Sequence, residues 1–159
     1  MNDTALWLDD VNIGDRFRTD TYDLTADAII DFASEWDPQP FHLGEDTAQG
    51  TFFKGLAASG WQTAAITMRL LVTTGLPLAT GIIGASMDLA WPTPTLPGDQ
   101  LHVELEVTDV RRSKSDSTRG FITATYDTLN QHGDIRQHAA GRLLAFAKPC
   151  SNGAPIRQL

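Results

Sequence analysis

The sequence predicts an α+β fold in a single domain: an antiparallel sheet of about five strands wrapped around one long central helix. Three observations lead there. Residues 59–77, S-G-W-Q-T-A-A-I-T-M-R-L-L-V-T-T-G-L-P, carry helix punctuation at both ends and are apolar around most of the circumference, so they need cover on most sides. Four strand-like segments follow with no helix between them. With 159 residues, 42% of them hydrophobic, the chain is long and apolar enough for one buried core.

The elements can be justified in order. In residues 14–24, G-D-R-F-R-T-D-T-Y-D-L, Phe17, Thr19 and Thr21 alternate with polar or charged side chains, the pattern of a short polar edge strand. A helix follows. Thr25 is a good N-cap, Asp27 suits the positive helix start, and Ile29, Phe32, Ala33 and Trp36 repeat at i, i+3, i+4 and i+7. Pro38 and Pro40 end it, leaving a loop. The central helix has Ser59 as N-cap and Gly75 then Pro77 as its stop, about 24 Å at ~1.5 Å per residue. Between Gly60 and Val72 only Gln62 and Arg69 are strongly polar.

Residues 81–91 form the first strand candidate after that helix, and P-T-P-T-L-P-G-D links it to the next. That next strand, Q-L-H-V-E-L-E-V-T-D-V, sets Leu101, Val103, Leu105 and Val107 on one face and His102, Glu104, Glu106 and Thr108 on the other. G-F-I-T-A-T-Y-D-T-L and I-R-Q-H-A-A-G-R-L-L-A-F-A follow, joined by a hairpin turn at N-Q-H-G-D. The sheet's other face and its edges invite a second subunit. Residues 1–149 are expected to form the domain and residues 150–159 a polar tail.

Composition narrows the function. A net charge of -8 with no long basic run lacks the footprint of a nucleic-acid binder. Arg111, Arg112, Lys114 and Arg119 form a local basic cluster, read as a solvated hairpin end, with docking of a small anion as the alternative. No run approaches the roughly 18 to 20 apolar residues of a membrane span, and the start M-N-D-T-A-L-W-L-D-D is acidic where a secretory signal is basic. A soluble, cytoplasmic protein is expected. Cys150 is the single cysteine, so no intramolecular disulfide or cysteine-based zinc site can be built. His102, His132 and His138 read as surface histidines, since no spacing gathers three metal ligands.

The stretch D-P-Q-P-F-H, residues 37–42, carries the chemistry. It holds a carboxylate and an imidazole five positions apart, with two prolines restricting the backbone between them. Such a pair, placed on either side of a water, can orient it and move its protons at neutral pH. The spacing by itself is a weak pattern and favours the plainer reading, Asp37 capping a turn and His42 packing under the loop. Ser59-Gly60 adds a helix start whose first amides have no intrahelical acceptor, with no side chain at Gly60 to keep a ligand away. Those amides can donate to a developing oxyanion, although an ordinary capped helix with Gly60 used for close packing accounts for the same residues.

Taken together, D-P-Q-P-F-H-L, then G-L-A-A-S-G-W-Q-T-A, then P-T-L-P-G-D at residues 94–99 resemble the signature of the MaoC-like dehydratases, or R-specific enoyl-CoA hydratases. The resemblance spans roughly residues 10–148. It implies a hot-dog fold and reversible addition of water to a trans-2-enoyl thioester, giving the R-3-hydroxyacyl product. Asp37 and His42 would then activate the water, Asp37 as base and His42 orienting the water and helping deliver the proton to the α-carbon. The Gly60 N–H would polarise the thioester carbonyl. Ser59, Gln39 and Trp61 join it as substrate-binding candidates. The resemblance implies no metal or redox cofactor, a CoA or acyl-carrier thioester as substrate, and a homodimer or dimer of dimers. Trp36, Gln39 and Ser59 stand where the family often has glycine, asparagine and histidine; Gln39 keeps the amide with one more methylene.

Two other readings stay open. A hot-dog thioesterase would need an acid on the long helix or a neighbouring strand, and there is none between Gly60 and Thr74. A non-catalytic acyl-thioester binder would use the same cavity without turnover. Other motifs fail: G-T-F-F-K-G at residues 50–55 is followed by Leu56-Ala57 instead of Lys and Ser/Thr, and Ser59 lacks the flanking glycine of a nucleophile elbow.

Overall fold

The computed structural model describes residues 5–149, so the tail and Cys150 lie outside the described residues. Strands β1 (Arg16–Arg18) and β2 (Tyr22–Asp23) precede helices α1 (Ala26–Trp36), α2 (Pro40–Leu43), α3 (Glu45–Ala48) and α4 (Gly60–Leu70). Strands β3 (Ile83–Ala90), β4 (Gln100–Arg112), β5 (Arg119–Leu129) and β6 (Ile135–Phe146) follow. All pairings are antiparallel in the order β1-β4-β5-β6-β3, with β2 also on β4.

Period-two alternation decides which way the long strands face. Leu101, Val103, Leu105 and Val107 of β4 are buried, as are Ile122 and Ala124 of β5 and Ala139, Leu143 and Ala145 of β6. They meet Ile66, Leu70 and Leu71 in one core cluster, so the sheet curls around the central helix as expected. The β5–β6 turn is the expected hairpin: Gly133 has φ 82° and the Asn130 carbonyl oxygen of the side chain accepts the amides of His132 and Asp134. No helix among the described residues is long and apolar enough to cross a membrane.

Four expectations need correction. The first strand is two pieces, because Thr19 turns its hydroxyl into the ladder and accepts from the Val103 amide at 2.9 Å while its own amide donates to the Val103 carbonyl. The inward parity flips across this irregularity, so Thr19 is buried but Thr21 is exposed and Tyr22 faces in. Trp36 does not join the core: it is 69% exposed, whereas Ile29 and Ala33 carry the buried face of α1. His102, read as a surface residue, keeps only 12% of its side chain exposed, beside Glu104.

The fourth concerns α4, whose regular part is shorter than the spacing implied. It passes into a π-helical turn, Leu71–Gly75, in which the Leu76 amide reaches back to the Leu71 carbonyl. Its buried face is also more polar than expected, containing Gln62, Thr63 and Thr67. Thr67 donates to the Thr63 carbonyl and Gln62 Nε2 to the Ala28 carbonyl, which offsets part of the cost of burying them, while Gln62 Oε1 is buried with no partner among the described residues. Trp61 and Val72 instead stand exposed at 63% and 56%.

Candidate functional site

The start of α4, the exit of α1 and the short helix α2 converge on one another. α1 ends at Trp36, and Asp37 follows with φ −153° and ψ 68°, its amide bonded back to the Ala33 carbonyl. His42 lies in α2, a short helix in the expected loop, opened by Pro40 at a position where its missing N–H costs nothing. The prolines therefore shape a turn and a helix start, and this brings Asp37 and His42 face to face. His42 Nε2 is 3.4 Å from Asp37 Oδ2, with 5% and 18% of the two side chains exposed.

The other ring nitrogen fixes the orientation of the imidazole. His42 Nδ1 is 2.6 Å from the Ala57 carbonyl, which can only accept, so Nδ1 carries a hydrogen and Nε2 is left to face Asp37. The segment bearing that carbonyl is held on both sides: the Ala57 amide donates to the Phe41 carbonyl and the Ala58 amide to the Thr95 carbonyl. Phe41 packs edge-on against the imidazole with centroids 4.5 Å apart.

Asp37 is held as firmly. Ser59 Oγ donates to its Oδ2 at 2.7 Å and Gln39 Nε2 to its Oδ1 at 2.7 Å. Burial pushes the carboxyl pKa up, but these two hydrogen bonds and the neighbouring His42 outweigh it and leave Asp37 below its usual range. Asp37 is therefore a carboxylate at neutral pH. Gln39 and Ser59, two of the departures from the family pattern, are its hydrogen-bond partners.

Ser59 has a second task as the N-cap of α4, accepting the Trp61 amide at 3.2 Å. The Gly60 amide, one residue earlier, has no acceptor among the described residues. Gly60 and His42 line the same cavity of ≈ 330 Å³, with Phe53, Ala58, Thr63 and Trp91 among its walls. Glycine is required at position 60, since a Cβ there would sit 2.7 Å from Trp91 Cε2. Trp61 points outward and meets the cavity only through its edge-on contact with Trp91, centroids 5.6 Å apart.

The structure thus gathers Asp37, His42, Gln39, Ser59 and Gly60 and leaves Trp61 at the rim. It adds Ala57, Thr63, Trp91 and Thr95, none of them singled out in the sequence as site residues. Ala57 and Thr63 lie within G-L-A-A-S-G-W-Q-T-A, Trp91 lies outside every motif, and Thr95 belongs to the P-T-L-P-G-D loop. Its Asp99 is bound bidentately by buried Arg136, at 2.9 and 3.1 Å, which fastens the cavity-lining loop to β6. A groove of ≈ 470 Å³ on the outer sheet face contains neither Asp37 nor His42, and its charges pair with one another: Arg16 with Glu106, Arg18 with Glu104, His138 with Asp127. The arginines of the basic cluster are likewise paired, Arg111 with Asp109, Arg112 with Asp9 and Arg119 with Asp116.

Comparison with known proteins bears on the family and the fold. A family model described as MaoC like domain matches residues 10–128. The chain is 34% identical over 125 residues to YdeM of Bacillus subtilis, a protein of uncharacterised function, covering 78% of this chain and 87% of that one. Among solved structures, the MaoC-like dehydratase from Rhodospirillum rubrum is 53% identical with a TM-score of 0.90, covering 92% of this chain and all (100%) of that one. The (R)-hydratase of A. caviae is 25% identical with a TM-score of 0.69, covering 84% of this chain and 96% of that one. The R-hydratase PhaJ1 from Pseudomonas aeruginosa, 23% identical with a TM-score of 0.71 and 97% of each chain covered, has the same fold. With the family match over most of the chain and the sheet wrapped on its central helix in the hot-dog manner, this protein belongs to the MaoC-like dehydratase family.

Proposed function

We propose that this protein catalyses the reversible hydration of a trans-2-enoyl thioester to the R-3-hydroxyacyl thioester. The observation that carries the proposal is the facing of Asp37 and His42 at 3.4 Å, with His42 lining the same cavity as Gly60 and Asp37 bonded to Ser59, the residue before it. As the water oxygen bonds to C3, Asp37 accepts one of its protons, the C2=C3 electron pair moves toward the carbonyl, and the resulting enolate oxygen takes the Gly60 hydrogen bond. The proton taken up by Asp37 is then delivered to C2 with the help of His42 as the carbonyl re-forms, which restores the carboxylate and adds water across the double bond with no other reactant. His42, with Nδ1 committed to Ala57, offers only Nε2 to the water, which fixes the water's orientation. A carboxylate with a lowered pKa is a weak base, so holding the water and the alkene together must supply much of the rate.

The (R)-hydratase of A. caviae supports this reading through its similarity across most of both chains. The substrate would be a CoA or acyl-carrier thioester, and the reading assigns no metal or redox cofactor. A homodimer fits the free edge of β3, which pairs only with β6 and leaves Ile83 and Met87 exposed at 42% and 38%.

The test is purified protein with crotonyl-CoA, following loss of the conjugated enoyl absorbance, with chiral analysis of the product. Asp37→Asn should cut turnover by about two to four orders of magnitude with the fold intact. A variant within a few-fold of wild type would remove Asp37 from the mechanism, and release of free CoA would replace hydration by thioester hydrolysis.

A further inference from the structure

We infer that Trp91 sets the length of acyl chain this cavity accepts, closing it along α4 so that it takes a short acyl group; this deepens, and rests on, the enoyl-thioester reading. Trp91 follows β3 directly and precedes Pro92, so its backbone leaves the sheet at a restricted angle. The indole lies against the start of α4, close enough that a Cβ on Gly60 would meet Cε2 at 2.7 Å and Cδ2 at 2.9 Å.

The indole nitrogen, bonded to that same Cε2, is tied into the core. Trp91 Nε1 donates to Gln137 Oε1 at 2.9 Å, and Gln137, 1% exposed, donates from Nε2 to Thr67 Oγ1 at 3.3 Å. Thr67 Oγ1 lies 2.6 Å from Thr128 Oγ1. The buried Gln137 carbonyl has the indole as its partner, and a buried polar atom without one is costly, so the ring is held in place even though Trp91 is 40% exposed. From Gly60 to Thr67 is seven residues, about 10 Å along α4. The tie from the indole through Gln137 to Thr67 runs along that flank of the helix.

The remaining depth is small. Thr63 and Thr95, 1% and 3% exposed, line the same cavity, and their hydroxyls are bonded to each other at 2.9 Å. Thr63 is three residues beyond Gly60, ~4.5 Å along the axis, so a chain that runs along α4 from the Gly60 amide meets this pair within one helical turn. The pair ends such a chain on hydroxyls, and the apolar lining, Phe52, Phe53, Ala58, Pro92 and Pro94 with Trp91, is left for the few carbons before it. The whole cavity, ≈ 330 Å³, must also hold the reacting water and thioester, and it sits at the low end of the roughly 300–1,000 Å³ of ligand pockets.

The experiment measures binding of saturated butyryl-, hexanoyl- and octanoyl-CoA by calorimetry, and turnover of the matching trans-2-enoyl-CoAs, for wild type, Trp91→Ala, Trp91→Phe and Gln137→Met. Wild type should prefer the four-carbon chain over the eight-carbon chain by at least tenfold in both readouts. Trp91→Ala should shift that ratio at least tenfold toward octanoyl, Trp91→Phe less, and Gln137→Met should lower the KM for the long chain by freeing the ring. A wild type that takes octanoyl as well as butyryl, or a ratio unmoved in both folded Trp91 variants, overturns the inference while leaving hydration intact. A ratio that shifts in binding with no enoyl turned over sustains the inference about length and removes the hydratase reading. Failure of every acyl-CoA to bind overturns both.

Discussion

Ser59→Ala tests the linkage between the helix start and the carboxylate, because one hydroxyl serves both. The Ser59 oxygen accepts the Trp61 amide at 3.2 Å and donates to Asp37 Oδ2 at 2.7 Å. Loss of the N-cap costs about 0.5–2 kcal/mol. For a chain of this size ~1 kcal/mol lowers Tm by roughly 2–4 °C, so the cap alone predicts a fall of several degrees. Loss of the hydrogen bond acts on Asp37 separately. Burial, which raises its pKa, is left opposed only by Gln39 and His42, so the pKa moves up. In wild type the folded pKa lies below the ordinary value of 3.8, and the stability this contributes is present above that value and lost as pH falls through the folded pKa. The stability gap between wild type and variant should therefore hold at neutral pH and narrow in acid. Urea unfolding across pH measures it, and the acid limb of kcat/KM should move to higher pH in parallel. Ser59→Thr, which keeps a hydroxyl, should restore most of both effects. If Ser59→Ala lowers Tm but leaves the acid limb where it was, Ser59 acts as a cap alone and the coupling to Asp37 is wrong.

Gly60→Ala places a methyl group 2.7 Å from Trp91 and should destabilise by about 1–3 kcal/mol of overpacking; on a Trp91→Ala background the cost should largely vanish, and additive urea midpoints would contradict the contact. Arg136→Met leaves the buried Asp99 carboxylate without its bidentate partner and should cost about 3–5 kcal/mol in urea unfolding; a loss under 1 kcal/mol would mean that the loop is held by its other bonds. Met87→Lys sets a charge on the β3 edge and should turn the proposed homodimer into a monomer in light scattering at micromolar concentration; a dimer unchanged by the substitution would place the interface elsewhere, and a monomeric wild type would remove the homodimer.

How much was legible in the sequence follows from the range of the forces involved. Thr25 and Ser59 announce their helices because a cap bonds an amide two or three residues away, and β4 is readable because alternation is a property of consecutive residues. The division of the first strand was hidden, since it depends on Thr19 bonding Val103, far away in the chain. Gln62, which looked like a polar interruption, is buried because Ala28 of another helix supplies a carbonyl at 2.7 Å. Trp36, at the right phase for the core, falls outside it because α1 ends there and the chain turns to deliver Asp37.

The order of the strands and long helices, the residue types at the site and the proline-restricted path between Asp37 and His42 are local matters, set by chemistry within a turn or two of backbone. Folding in three dimensions was needed to bring the Ala57 carbonyl to His42 Nδ1, to set Ser59 and Gln39 on the two oxygens of Asp37, and to stand Trp91 over Gly60. These are contacts between side chains and segments brought together by burial of the core, and hydrogen bonds that fail beyond about 3.5 Å depend on packing that no local pattern records.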